Sequence, residues 1–314
     1  MSNNKKLLSY FDVLSAKKTY MEGGNIIELL RAQKNIEFNA PEIIEVAYDL
    51  QAGTYIENSI KNAKQENLYA NELASIIDSH INANDSLLDI GAGELTTLSS
   101  VVSKLTQKPV AIYAFDISWS RIFKGIAFAK VNMKDQYKSL KVFVGDISEI
   151  PFFDKSINVT ISSHALEPNG EKLKELINEL FRVTNDKLIL FEPCYEICSE
   201  LAKQRMERLG YIKNVDGVVR ELGGKIIDKI IIKNISNPLN PTVCFIIRPP
   251  FQSNNAFKKS DRKGGIFSVP GTNYPLKLLE NFYLSNETGL CYPILKNIPI
   301  FKSTTAILAT ALVE

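Results

Sequence analysis

An apolar run that ends in a glycine turn constrains the fold of this chain more than any other feature. Residues 87–94 read LLDIGAGE, so a stretch suited to a buried strand is followed by Gly91 and Gly93. Glycine has no Cβ, and the backbone can therefore turn tightly there and come close to a ligand. Residues 96–105 can continue as a helix. The pattern predicts a strand–turn–helix unit with a ligand at the turn.

A second apolar run, residues 111–116 (AIYAFD), ends in an acidic residue. If the two runs are neighbouring parallel strands, Asp116 should emerge at their carboxyl edge, where open α/β sheets bind ligands. Thr96 stands at the third glycine position of a dinucleotide fingerprint, and no G-K-[ST] follows the turn. The motif therefore disfavours a nicotinamide dinucleotide or a Walker-type phosphate loop. It favours a ligand whose ribose is bound by Asp116 and whose charged end is not a pyrophosphate.

Three more apolar runs follow in the same rhythm. Residues 142–147 read VFVGDI, residues 158–167 read NVTISSHALE and residues 187–193 read KLILFEP. This order of strands with matched polar endings resembles the class I S-adenosylmethionine-dependent methyltransferases, over roughly residues 40–250. The resemblance implies an α/β fold of Rossmann-like type, a doubly wound and mostly parallel sheet. Residues 225–233 and 243–247 resemble the antiparallel hairpin that closes such a sheet.

The resemblance also implies which residues hold the cofactor, S-adenosyl-L-methionine. Asp116 would bind the ribose hydroxyls, and Asp146 would lie at the adenine amino group. Tyr55 would either place its ring over the methionine end, where an aromatic face stabilises a sulfonium cation, or serve ordinary packing. The expected cofactor-binding residues are Tyr55, Asp89, Gly91, Ala92, Gly93, Asp116, Ile117, Asp146, Ile147 and Ser163.

Two positions depart from the family pattern. Leu95 stands where many members have a further glycine, and we expect it to crowd the approach of the methionine part of the cofactor. Asn158 stands where an aspartate is common, which we expect to be a surface change of little consequence.

Two residues are candidates for catalysis. His164 follows the fourth run and should face the pocket, and an ordinary histidine pKa of about 6.5 suits a general base, with packing in the loop as the alternative role. Glu192 ends the fifth run, at the substrate side of the sheet. The predicted reaction is methyl transfer to an O or N acceptor on a small molecule or a glycan or nucleotide-sugar precursor. Alternatives are a transfer-RNA or protein methyltransferase and a catalytically silent binding protein, which Leu95 would favour.

Composition limits the compartment and the partners. The 37 basic and 35 acidic side chains nearly balance, at a formal net charge of +2, so nucleic acid is not an expected partner. The four cysteines form no CxxC pair and the chain begins without a basic-then-apolar leader, which predicts a reduced, cytoplasmic protein. With two histidines in the chain we expect no metal site. Residues 306–313, the longest apolar stretch near the end, are too few to span a membrane.

The chain divides into four predicted segments. Residues 1–75 form a helical cap, residues 76–250 the cofactor-binding methyltransferase domain, residues 251–263 a linker and residues 264–314 a small β-ribbon-like appendage. The last segment resembles ribbon domains that hold zinc in some bacterial methyltransferases and activator subunits, but its knuckle, residues 269–272 (VPGT), lacks cysteine. A piece of this size needs a docking surface for stability, so we expect it to act as a lid or as the contact of a homodimer.

Overall fold

The N-terminal part of the chain is helical. The structure, a computed structural model, describes residues 13–251 and 265–313; the predicted linker therefore lies outside the described residues except for Phe251, and so do the first residues of the predicted cap. The helices before the first strand are α1 (Val13–Met21), α2 (Ile26–Lys34), α3 (Pro41–Leu50), α4 (Thr54–Lys61) and α5 (Ala63–Asp78). Helix α3 begins at Pro41, whose fixed φ angle suits the first helical turn.

Strands and helices then alternate. The elements are β1 (Ser86–Ile90), α6 (Thr96–Lys104), β2 (Ala111–Asp116), α7 (Trp119–Met133), β3 (Leu140–Gly145), β4 (Ile157–Ser163), α8 (Leu173–Val183), β5 (Thr184–Pro193), α9 (Glu200–Leu209), α10 (Val215–Glu221), β6 (Lys225–Ile231) and β7 (Thr242–Arg248). Each of the five apolar runs forms a strand, because a sheet covered on both faces requires continuous apolar sequence.

The strand order confirms the predicted fold class. Strands β3, β2, β1, β4 and β5 lie side by side in that order and run parallel. Strand β7 is antiparallel to β5, and β6 is antiparallel to β7, so the predicted hairpin closes the sheet. The direction of winding reverses between β1 and β4. Such a switch point opens a crevice at the carboxyl ends of the strands.

Alternate residues of the central strands pack on opposite faces of the sheet. In β1, Leu88 and Ile90 join the apolar cluster that is covered by α8 and α10, whereas Leu87 joins the cluster covered by α5, α6 and α7. This alternation follows from the two-residue period of a strand. The two covered faces fix the strand ends, and with them the residues that follow each strand.

The C-terminal segment continues the same sheet. Its strands are β8 (Lys277–Leu278), β9 (Phe282–Leu284), β10 (Leu290–Leu295), β11 (Ile298–Phe301) and β12 (Ile307–Leu308). Strand β11 pairs in parallel with β3, with Ile300 opposite Val144 and Phe301 opposite Gly145. The segment therefore covers an edge strand that would otherwise expose unpaired backbone groups. The predicted appendage is in this way an extension of the central sheet.

Aromatic packing holds this extension in place. The ring of Phe301 lies 5.7 Å from that of Phe143 on β3 and 4.9 Å from that of Phe267, measured between ring centroids. Lys302 donates to Glu45 on α3 at 2.6 Å, which joins the segment to the helical cap. In the described part of the chain the segment docks on its own methyltransferase domain; its likeness to a zinc ribbon, its role as a lid and the homodimer remain predictions.

Two further predictions concern membranes and metals. Within residues 13–251 and 265–313, no helix combines the length and the apolar character needed to cross a membrane. The same residues hold no group of three or more His, Cys, Asp or Glu side chains arranged to bind a metal ion. All four cysteines are buried thiols.

Candidate active site

Two glycines turn the chain at the carboxyl end of β1. Gly91 and Gly93 have φ angles of 58° and 53°, in the left-handed region that favours glycine. The backbone N–H of Ala92 donates to the carbonyl of Phe115 at 2.8 Å, which ties the turn to β2. A Cβ on Gly91 would stand only 2.5 Å from the Cβ of Ala165, in the loop after β4. Gly91 thus allows the turn to pack directly against that loop.

Acidic side chains at the ends of β2 and β3 lie beside this turn. The Oδ2 atom of Asp116 accepts a hydrogen bond from the backbone N–H of Gly93 at 2.9 Å, and its Oδ1 atom accepts one from that of Ser118 at 2.9 Å. Asp146 accepts from both the N–H and the hydroxyl of Ser148 at 2.8 Å. Both carboxylates are therefore held in fixed orientations at the carboxyl edge of the sheet.

These groups line one cleft, which we call the cofactor cleft. The predicted cofactor-binding residues in its wall are Tyr55, Gly91, Ala92, Gly93, Asp116, Ile117, Asp146, Ile147 and Ser163. Asp89 is different, because it is buried in β1 and does not form part of the wall. Burial and the nearby charge of Asp116 hold the pKa of Asp89 well above its ordinary value. Its carboxyl group makes no side-chain hydrogen bond with the described residues.

Leu95 does not crowd the cofactor cleft, and the expectation that it would is wrong. Its backbone is left-handed, with φ at 58°, and it caps the start of α6. Its side chain is fully buried in the apolar cluster under α5, α6 and α7. The left-handed backbone costs a leucine about 1–2 kcal/mol, and burial of the side chain contributes about 1.5–3 kcal/mol in return. Leu95, the residue that favoured a catalytically silent binding protein, thus does not obstruct the cofactor cleft.

An arginine that sequence analysis did not single out lies in the cleft. The guanidinium carbon of Arg121 is 4.4 Å from the ring centre of Tyr55 and 5.0 Å from that of Tyr48. A Cβ on Gly93 would stand 2.7 Å from its Nη2 atom. The guanidinium of Arg121, a cation of the protein itself, therefore faces the Tyr55 ring. Contact of that ring with the sulfonium of a cofactor remains a prediction. Its spacing in the sequence could have indicated this position. Arg121 comes five residues after Asp116 and therefore lies on the first turn of α7, the helix that follows β2.

Glu94 anchors the helical cap to the glycine turn. Its carboxylate is almost completely buried and accepts hydrogen bonds from the backbone N–H groups of Gly53 at 2.8 Å and Ile56 at 2.9 Å. These groups belong to the start of α4, where a helix dipole favours a negative charge. This contact places Tyr55, on the first turn of α4, at the cleft.

His164 belongs to a hydrogen-bonded network in the loop after β4. Its Nδ1 atom lies 2.9 Å from a carboxylate oxygen of Glu167, and its Nε2 atom lies 3.1 Å from the hydroxyl oxygen of Thr242. Glu167 also accepts from the hydroxyl of Tyr211 at 3.0 Å and the amide of Asn240 at 3.1 Å. Burial lowers the pKa of His164, but the hydrogen bond and charge of Glu167 outweigh it and raise the pKa above its ordinary value.

Glu192 supports this loop and does not project at the substrate side, which corrects the sequence-based expectation. Its side chain is fully buried and does not line the cofactor cleft. One oxygen accepts hydrogen bonds from the hydroxyl of Ser162 and from the backbone N–H groups of Ala165 and Leu166. Burial raises the pKa of Glu192 to about 7. We therefore treat it as a positioning residue for the loop that carries His164.

A second and larger cavity lies beside the cofactor cleft. It has a volume of about 690 Å³ and is bounded by α4, α5 and the loop between β6 and β7. The two cavities share the residues Tyr55, Thr96, Thr97, Ser163, His164 and Glu167. His164 and Glu167 therefore stand at the boundary between the cavities. The sequence predicts one pocket for Tyr55, Ser163 and His164, and its patterns do not indicate the second cavity, which these three residues also line.

Comparison with known proteins agrees with this geometry. Residues 88–190 match a family whose description is "Methyltransferase domain". This segment runs from β1 to β5 and contains the glycine turn, Asp116, Asp146 and His164. The segment is a class I S-adenosylmethionine-dependent methyltransferase domain, as the resemblance implied. The chain is thus an S-adenosylmethionine-dependent methyltransferase, and S-adenosyl-L-methionine is its cofactor.

Solved structures show a more distant similarity. A chain from the complex of the Haloferax volcanii Trm112 methyltransferase activator with a methyltransferase is 13% identical, over 62% of this chain and 94% of that chain, at a TM-score of 0.49. A methyltransferase from Methanosarcina mazei is 17% identical over 56% and 98%, at 0.47. Magnesium protoporphyrin IX methyltransferase from Synechocystis PCC 6803 is 14% identical over 62% and 87%, at 0.45. Such distant similarities indicate neither an acceptor nor a partner, and no curated protein matches the chain.

Proposed function

We propose that this chain methylates an oxygen or nitrogen atom of a small molecule held in the second cavity, with His164 as the general base. The observation that carries the proposal is the shared wall, in which His164 borders both cavities. Methyl transfer requires the methyl group of the donor and the acceptor atom to be in contact, with water excluded. A base at the boundary of the two cavities would lie beside the acceptor atom and could take its proton.

The residues of the cofactor cleft suit S-adenosylmethionine. Asp116, held by two backbone N–H groups, has the position to bind ribose hydroxyls. Gly91 and Gly93 keep the turn open where a Cβ would intrude. When bound, the cofactor supplies a methyl group on a sulfonium sulfur, which keeps the electron pair of the broken bond as the acceptor lone pair bonds to the methyl carbon.

His164 and Glu167 would handle the proton that the acceptor loses. Because Glu167 holds the Nδ1 atom of His164, the Nε2 atom would take the proton, and its 3.1 Å contact with the Thr242 hydroxyl would give way to one with the acceptor. The charge of Glu167 then stabilises the imidazolium, which is the same effect that raises the pKa of His164. An unactivated hydroxyl and a protonated amine both need such a base.

Formation of S-adenosylhomocysteine tests the proposal. Purified protein and S-adenosylmethionine would be incubated with small hydroxyl and amine compounds, and methylated products identified by mass spectrometry. We expect acceptor-dependent product, which His164→Asn reduces while cofactor affinity is kept. Cofactor binding without any acceptor-dependent product across the panel would count against the proposal, and so would full activity of His164→Asn.

A further inference from the structure

The wall of the second cavity has a distinctive chemical composition. Its amide side chains come from α4, α5, the residue between these helices and the loop between β6 and β7, and they are Asn58, Asn62, Gln65, Asn234, Asn237 and Asn240. Its carboxylates are Glu66 and Glu167. None of the described residues in the wall is a lysine or an arginine. The cavity therefore offers many neutral donors and acceptors, with negative but no permanent positive charge.

Glu66 is the carboxylate in this wall that still lacks a partner. Glu167 already accepts hydrogen bonds from His164, Tyr211 and Asn240. Glu66 makes no hydrogen bond or ion pair with the described residues, and burial raises its pKa. A half-buried carboxylate in this state is stabilised by an incoming cation.

Glu66 is also close to the boundary between the two cavities. It precedes Tyr69 by three residues on α5, which places both side chains on one face of the helix. The hydroxyl of Tyr69 lies 2.9 Å from the hydroxyl of Ser163, a residue shared by both cavities. A cation at Glu66 therefore lies in the same cavity as the base, one helical turn from the shared wall.

We infer that the second cavity binds a hydroxyl-rich amine, of the amino-sugar or aminocyclitol class, and excludes acceptors that carry phosphate or carboxylate groups. Each amide has donors and an acceptor, which complement the hydroxyl groups of such a molecule. Its ammonium group complements Glu66. Phosphate binding uses Arg, Lys or backbone N–H groups, whereas this wall has two carboxylates, no lysine or arginine among the described residues, and a histidine that is already paired with Glu167, so it disfavours anions. Nucleotide-sugar precursors, which the sequence left open, are therefore disfavoured. The inference rests on the proposed function, because it takes this cavity as the acceptor site.

Calorimetric titration with matched ligands tests the inference separately from catalysis. The full chain at pH 7 is titrated with glucosamine, glucose and glucosamine 6-phosphate, both alone and saturated with S-adenosylhomocysteine. We expect glucosamine to bind about tenfold more tightly than glucose, the effect of one charge-assisted hydrogen bond, and glucosamine 6-phosphate to bind weakest. Failure of S-adenosylhomocysteine to bind would contradict the cofactor site, and the titrations without it still decide the selectivity of the cavity.

Two charge-neutralising variants complete the test. Glu66→Gln should abolish the preference for glucosamine over glucose, with unchanged affinity for S-adenosylhomocysteine. Glu57→Gln removes the same charge from an exposed position on α4 outside the cavity and should keep the preference. Equal binding of glucose and glucosamine, tighter binding of the phosphate, no binding of any sugar, or a preference that survives Glu66→Gln would each overturn the inference.

Discussion

The cofactor cleft and the second cavity meet at His164 but are built in different ways. The cofactor cleft consists of backbone turns and short acidic side chains at the ends of neighbouring strands. The second cavity is lined mainly by amide and hydroxyl side chains from two helices and one loop. The first site depends on the glycine turn and on carboxylates held by backbone N–H groups, whereas the second depends mainly on side-chain identity. Substitutions should therefore separate cofactor binding from acceptor selection.

The largest effect is expected for Asp116→Ala. Two hydrogen bonds from the ribose to a charged group are worth about 1.5–3 kcal/mol each, so affinity for S-adenosylhomocysteine should fall about 10²–10⁴-fold. Calorimetry measures the loss, and glucosamine binding without cofactor should stay unchanged. Asp135→Ala, which removes an exposed carboxylate beyond α7, is the matched control. Unchanged cofactor affinity in Asp116→Ala would refute the assignment of Asp116.

His164 should control the rate at the boundary of the two cavities. His164→Asn should lower kcat about 10²–10⁴-fold, the usual contribution of a general base, with little change in either affinity. The neutral imidazole is the active form, so the rate should fall as pH drops through the pKa of His164. Since Glu167 raises that pKa, the acidic limb of the pH–rate profile should lie above pH 6.5, and it should move to lower pH in Glu167→Gln. A limb that stays in place in Glu167→Gln would contradict this coupling.

Phe301→Ala should change stability without changing either cavity. The ring is fully buried between β3 and the C-terminal segment, and truncation of a buried phenylalanine costs about 3–5 kcal/mol. No residue of this segment lines either cavity in the described structure, so both affinities should remain as in the wild type. Urea denaturation measures the loss, and Leu308→Ala, at a largely exposed position, should cost under about 0.5 kcal/mol. Altered acceptor selectivity in a folded Phe301→Ala protein would mean that the segment shapes the cavity.

Glu192 should make stability depend on pH near neutrality. Its pKa in the folded protein is raised to about 7, so the stabilisation of the neutral form is complete below the unfolded pKa and is lost as pH rises through 7. Between pH 4.5 and 8 the wild type should lose about 3 kcal/mol relative to Glu192→Gln, which stays uncharged. Urea denaturation of both proteins across this range measures the difference. Parallel pH profiles of the two proteins would show that Glu192 does not titrate there.

The fold and most of the cofactor cleft could be predicted from local sequence. A strand buried on both faces needs a continuous apolar run, and the residue after each run then lies at the carboxyl edge. This is why Asp116, Asp146 and Ser163 could be placed before the structure was known. Glu192 also ends such a run, yet its side chain turns under the loop to bind Ala165 and Leu166. Strand position predicts the edge of the sheet, but not which way a side chain points.

The parallel sheet, the glycine turn and the acidic strand ends follow from the sequence, because each depends on residues that are neighbours along the chain. Other features depend on tertiary packing. The direction of the Leu95 side chain, the stacking of Arg121 on Tyr55, the pairing of β11 with β3 and the second cavity all require segments that are far apart in sequence. Such contacts arise from packing of whole elements against one another, and no local pattern of apolar and polar residues specifies them.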